Sequence, residues 1–314
     1  MVAQASRCSV AIRVAFGSDW RSTGWMGLFE PEPSLTELER SGVLALRMAE
    51  RVVSTYTHIN SRRDFTQPQL LACLIVRGSR GLTYRGISRL LADAPGLRAV
   101  LGLRKVPHWT TLERTHNQPG MQEIIDRVLH ELMLEIGGGQ RPEVHEIAVD
   151  STGLHATGAS AYFEQRSGKS AAFVKLSVVV VCGLLLPASM VLSWGRSNDM
   201  CQGPEVVTKA AGSVRARVLY ADRGYDGERL HELCREQLGI ESYIPPVPKT
   251  RDGSIRTRHR SRMTRLPGRF GQRWQAEAFI SALKRTTGAG LRARGTSRPL
   301  VEAAFRVLGY AIRR

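Results

Sequence analysis

Carboxylates are scarce in this chain of 314 residues. Aspartate and glutamate together number 28 against 45 lysines and arginines, which leaves a formal charge of +17. So strong a basic excess argues for a polyanionic partner, with nucleic acid the first choice, and says nothing about fold. Cysteine is also sparse. Cys8, Cys73, Cys182, Cys201 and Cys234 are odd in number, scattered, and contain no Cys-x2-Cys pair. This spacing argues against a disulfide framework and a thiolate zinc site, and fits a reducing cytoplasm. Long apolar runs are missing as well. The one stretch of membrane-spanning length, 176–192, is valine-rich and broken by Gly183 and Pro187, so it reads as two adjacent core strands. Arg13 interrupts the apolar run that a secretory signal would need. No membrane association is expected.

The apolar content is ordinary at 42%, enough to bury a core in one large domain or two smaller ones. Residues 1–33 lack periodicity and read as a disordered leader. Residues 34–139 read as a helical N-terminal domain. Ser34 with Glu37 forms a capping-box pattern opening a helix over 34–60, and Thr66 with Pro68 opens another over 66–77. Between 83 and 117 three short helices follow, with Thr83 as a cap and a turn at Pro95-Gly96. The last of them, 108–117, carries Arg114 and Asn117 as candidate DNA contacts. A helix-turn-helix-like reader and a plain bundle bracing the next domain share this pattern. Residues 121–136 have the cleanest helical periodicity, and Gly137-Gly138-Gly139 ends the helix and marks a boundary near 140.

From 144 onward strands appear. The pattern predicts strands over 144–150, 173–182 and 185–194, a helix over 199–211, a strand over 216–221, a helix over 226–238 capped by Asp226, a strand over 241–245, and helices over 271–287 and 297–314. The runs Ile147-Ala148-Val149-Asp150 and Val218-Leu219-Tyr220-Ala221-Asp222 each end in an aspartate. On the helix over 271–287, Arg273, Glu277 and Lys284 share one face, an acid between two bases. Alone, that helix would pass for a solvated amphipathic one. Two strand-end aspartates and a helical glutamate are nonetheless the donor types that can converge on divalent cations. Glu143 and Glu146 are expected on the surface, as is His155.

Three motifs in order carry a resemblance: Val149-Asp150-Ser151-Thr152-Gly153, Ala221-Asp222-Arg223-Gly224-Tyr225-Asp226, and Arg273-x3-Glu277-x6-Lys284 preceded by Phe270. Together they resemble the catalytic domain of bacterial insertion-sequence transposases of the Asp-Asp-Glu (DDE) superfamily, whose helix signature has Tyr where Phe270 stands. The resemblance covers roughly 83–314. It implies an α/β fold over 140–314, a ribonuclease-H-like mixed sheet with flanking helices after the all-α domain. In that fold the first and fourth strands are neighbours, which would bring Asp150 and Asp222 together. It further implies a metal-dependent DNA transposase that cleaves at element ends and transfers the 3′-OH into target DNA. Asp150, Asp222 and Glu277 would be both catalytic residues and ligands of two Mg²⁺ ions, with Mn²⁺ as a substitute. Asp150 would bridge the ions, and Asp222 and Glu277 would hold one each. Arg273 and Lys284 would hold phosphates of the end DNA. The partners would be double-stranded DNA, both terminal inverted repeats and target, and further copies of the chain in a synaptic complex. The location would be the bacterial cytoplasm, at the nucleoid.

The segment 249–269 carries eight basic residues, Arg256, Arg258, Arg260 and Arg262 among them, against the single acid Asp252. It reads as a solvated loop on its own and as a phosphate-binding strap on DNA. A hydrolysis-only nuclease of the same fold and a catalytically silent or domesticated DNA-binding relative are the alternatives.

Overall fold

The computed structural model describes residues 35–314 apart from 57–59, 61–62, 157–172, 196, 249–254 and 256. The leader, Ser34 and Arg256 lie outside the described residues. Capping boxes set the first two helices. In α1 (Glu37–Val52) the box is Thr36 with Glu39, two residues later than the sequence pattern implied. In α2 (Gln67–Ser79) Thr66 caps as expected, paired with Gln69. Three short helices follow, α3 (Tyr84–Asp93), α4 (Pro95–Val100) and α5 (Trp109–His116), then α6 (Met121–Ile136). Thr83 caps α3 through the Gly86 amide at 2.9 Å.

The second half holds β1 (Glu143–His155), β2 (Phe173–Val181), β3 (Leu186–Trp194), α7 (Asp199–Ser213), β4 (Arg215–Tyr220), α8 (Glu228–Glu232), β5 (Glu241–Tyr243), α9 (Trp274–Thr287) and α10 (Arg298–Arg313). The strands form one five-stranded mixed sheet in the order β3-β2-β1-β4-β5. β2 runs antiparallel to β1 and β3, while β4 is parallel to β1 and β5 parallel to β4. Helices lie on both faces, which is why β2 can be an unbroken valine run, Val178–Val180 being fully buried. Successive residues of β1 point to opposite faces. Ser151 points to the α7 side, where its hydroxyl meets Asp199, and Thr152 to the α9 side, where its hydroxyl meets Lys284.

The sequence pattern makes α10 amphipathic, yet it is buried all round from Val301 to Ile312. Its partner on one side is α2. A Cβ on Gly78 would collide with the Phe305 carbonyl oxygen and stand 2.7 Å from its carbon. One on Gly309 would collide with the Ser79 amide nitrogen and stand 2.7 Å from the Ile75 oxygen. These two glycines let the helix backbones touch. The pair Glu302–Arg306, 2.7 Å apart, is buried in α10, and Arg306 also donates to the Gly288 and Gly290 carbonyls. The change from helices to strands near 140 is therefore no break in the core, which runs from α1 through the sheet to α10.

Candidate active site

The β1–β4 register pairs Ile147 with Leu219 and Ala148 with Tyr220. Asp150 and Asp222 each lie two residues beyond that last pair. β1 itself continues past Asp150 to His155 along β2, so Asp150 sits within a strand and not at its end. The two aspartates stand where β1 and β4 part, on the face that also carries Glu146 and Tyr220, whose phenol donates to Glu146 at 3.0 Å. One oxygen of each aspartate is held by an amide: Ser151 N donates to Asp150 Oδ1 at 2.8 Å and Gly224 N to Asp222 Oδ1 at 2.9 Å.

α9 and the turn before it, Gly268–Arg273, run across this face. Phe270 meets Tyr220 edge to face with ring centroids 6.0 Å apart. Arg273 Nη1 is 2.6 Å from Glu277 Oε1, and Lys284 Nζ donates to Thr152 Oγ1 at 2.5 Å. Burial lowers the Lys284 pKa, and the charge of Asp150 opposes that shift. Burial first of all pushes Asp150 up to about 6. The Ser151 amide works against this, the negative charges of Asp222 and Glu277 add to it, and Arg273 opposes it. Asp150 thus stands in the field of Asp222 and Glu277. They do not converge as a ready-made ligand cluster: among the described residues, no three His, Cys, Asp or Glu side chains are grouped so as to hold a metal ion. Glu277 is instead paired with Arg273 one helical turn earlier.

The basic segment departs from its expected form. Arg260 is buried, with Nε 2.6 Å from Asp226 Oδ1 and Nη2 2.7 Å from Asp226 Oδ2, and it also donates to the Val247 carbonyl at 2.8 Å. It is a structural cation here and is not presented to a phosphate. Asp226 correspondingly does not hold the N-cap position of α8, which belongs to Gly227, and its carboxylate accepts from the Val247 amide at 2.8 Å as well as from Arg260. A buried carboxylate requires a cation, and the basic run supplies it. Arg258 and Arg262 are exposed, with Arg258 paired to Glu236 at 2.7 Å. Glu146, expected on the surface, is buried and bound to Arg269 at 2.6 Å. His155 is exposed as expected, and its backbone pairs with Ala289 and Leu291. Arg114 is exposed on α5, and Asn117 ends that helix with its side-chain oxygen 3.2 Å from His116 Nδ1.

One group escaped the sequence reading. Lys175, inside β2, is buried and lies 2.6 Å from Asp199 Oδ1. A lone lysine in a valine-rich strand was the available signal, since a buried ammonium requires a partner.

Residues 145–311, which include all three acids, match the family described as transposase DDE domain. No curated protein matches the chain. A piggyBac transposase solved by cryo-electron microscopy in a synaptic complex with hairpin DNA is similar at 11% identity and a TM-score of 0.44, over 88% of this chain and 71% of that one.

Proposed function

This chain belongs to the transposase DDE-domain family, and from that premise we propose that it is an insertion-sequence transposase that cleaves DNA at the element ends and joins the freed 3′-OH to target DNA. The observation that carries the reading is the placement of the half-buried Asp150 and Asp222 where β1 and β4 part, with the Glu277 helix packed across the same face; burial pushes Asp150 up to about 6, and the charges of Asp222 and Glu277 add to this. A perturbed carboxylate with further acids beside it at the rim of a sheet is a mark of a working site. The family uses divalent metal ions. The donors fit Mg²⁺, which prefers hard carboxylate oxygens and keeps several waters, with Mn²⁺ as a substitute. Asp150, Asp222 and Glu277 would hold the ions. When bound, the ions supply activation of the attacking oxygen and charge neutralisation at the leaving oxygen.

The other residues bind and orient. Arg273 would exchange Glu277 for a phosphate of the end DNA, which frees the glutamate to act as a ligand. Lys284, tethered to Thr152 beside Asp150, would hold a second phosphate. Arg258 and Arg262, with Arg256, would track the backbone, whereas Arg260 is withdrawn from that role. Arg114 on α5 and Asn117 at its C-terminal end would read the terminal inverted repeat, and further copies of the chain would complete the synaptic complex on the bacterial nucleoid. No helix among the described residues is long and apolar enough to cross a membrane.

The test is a strand-transfer assay with a labelled end duplex and a target plasmid in Mg²⁺. The wild type should cut and join. Asp222→Asn should lose both steps while still binding end DNA, because a ligand is lost and the basic surface is kept. Cutting without joining would make the protein a hydrolytic nuclease. Wild-type nicking by Asp222→Asn would remove Asp222 from the site.

A further inference from the structure

Behind the sheet, on the face away from α9, a single carboxylate touches the supports of both aspartates. Asp199 opens α7, where the helix N-terminus favours negative charge. Its Oδ1 accepts the Ser151 hydroxyl and lies 2.6 Å from Lys175 Nζ. Lys175 also donates to the Ser197 carbonyl at 2.5 Å, and its side chain is only 6% exposed. The other oxygen, Oδ2, lies against Gly224. A Cβ there would collide with it and would stand 3.0 Å from Asp222 Oδ1, so only glycine fits. Ser151 and Gly224 are the two residues whose amides hold Asp150 Oδ1 and Asp222 Oδ1. Each amide that fixes a candidate ligand thus belongs to a residue that Asp199 touches.

We propose that Asp199, neutralised by Lys175, is a positioning residue that sets the relative placement of Asp150 and Asp222 through Ser151 and Gly224. This rests on the reading of Asp150 and Asp222 as metal ligands. β1 and β4 cease to pair two residues before these aspartates, so the ladder does not hold them in register. Asp199 bridges the gap from below. Its charge is already balanced by Lys175, so the contact adds orientation without placing an uncompensated third carboxylate beside the ligands. Partners of this kind, one shell behind the ligands, typically change metal affinity or activity by about 10–100-fold when removed.

Removing Asp199 alone would strand a buried ammonium, so the comparison uses two double variants. Lys175→Met/Asp199→Ala loses both the ion pair and the reach to Ser151 and Gly224. Lys175→Met/Asp199→Asn loses the ion pair and keeps the reach. Ser151→Ala breaks the link from its other end and leaves the ion pair intact. Three quantities are measured on each: the melting temperature without metal, end-DNA affinity without metal, and Mn²⁺ binding followed by the paramagnetic signal of the free ion. The Ala double variant and Ser151→Ala should weaken Mn²⁺ binding about tenfold or more. The Asn double variant should stay within about threefold of wild type, since the contact to both supports remains. DNA affinity should be unchanged in all three. A purely structural role would lower the melting temperatures and leave Mn²⁺ binding equal in the two double variants, and that result overturns the inference. Asp222→Asn runs alongside. If it binds Mn²⁺ and nicks like wild type, the ligand reading itself fails and takes the inference with it. If it loses both while the Asp199 variants bind normally, only the inference fails.

Discussion

Arg260→Ala separates a structural arginine from a DNA-binding one within a single basic run. In the folded protein the Arg260 guanidinium forms two bonds of 2.6 and 2.7 Å to Asp226 and a third of 2.8 Å to the Val247 carbonyl. The two side chains are 8% and 1% exposed. Truncation removes both charge-assisted bonds from Arg260 to the buried Asp226 carboxylate, and breaking such a pair costs about 3–5 kcal/mol. At roughly 2–3 °C per kcal/mol for a large domain, the melting temperature should fall by about 10 °C. Arg260→Met/Asp226→Asn should recover most of the loss, because the stem volume remains and no lone charge is buried. The same variants are then titrated with salt on end DNA and on scrambled duplex. Arg260→Ala should keep the wild-type slope of log affinity against log salt. Arg258→Ala/Arg262→Ala should melt near wild type and flatten that slope by roughly 0.9 for each phosphate no longer neutralised, on both duplexes alike. An Arg260→Ala protein of unchanged stability with a flattened slope would refute the argument, since Arg260 would then face DNA and not Asp226.

Acid should destabilise the fold from about pH 6.5 downward through two buried histidines. Burial, then nearby Arg77 for His116 and Arg235 for His231, lowers both imidazoles to about 4. Their folded values lie below the unfolded one, so the unfolded chain binds more protons between about pH 6.5 and 4. Stability is then complete above that window and falls with pH inside it, by roughly 1.4 kcal/mol per pH unit for each histidine. Urea melts at pH 7.5, 6 and 5 measure the slope, and His116→Gln should make it shallower; an unaltered slope would assign it to other groups. Gly309→Ala should cost about 1–3 kcal/mol through overpacking against Ser79 and Ile75. A calorimetric melt equal to wild type would mean that α2 and α10 can move apart without loss.

The sequence by itself determined the local elements and their order. Capping residues and 3.6-residue periodicity mark α2, α3 and α6, and β-branched runs mark the strands, because these signals act within one turn or one strand. The three acids were legible too, as motifs in order, each with its own short context. What lay beyond reach depends on partners distant in the chain. β1 extends past Asp150 because β2 pairs with it as far as His155. α10 is buried all round because α6 and β3 pack on it as well as α2, where two glycines let the helix backbones meet. Arg260 leaves a run of solvated arginines because Asp226 is buried opposite it, and Lys175 tolerates a valine-rich strand because Asp199 reaches it from α7. For β1 the deciding term is pairing with a distant strand; for α10, Arg260 and Lys175 it is a steric clash or the cost of an unpaired charge between distant segments. These terms do not exist until the chain has folded, so tertiary structure alone decided them.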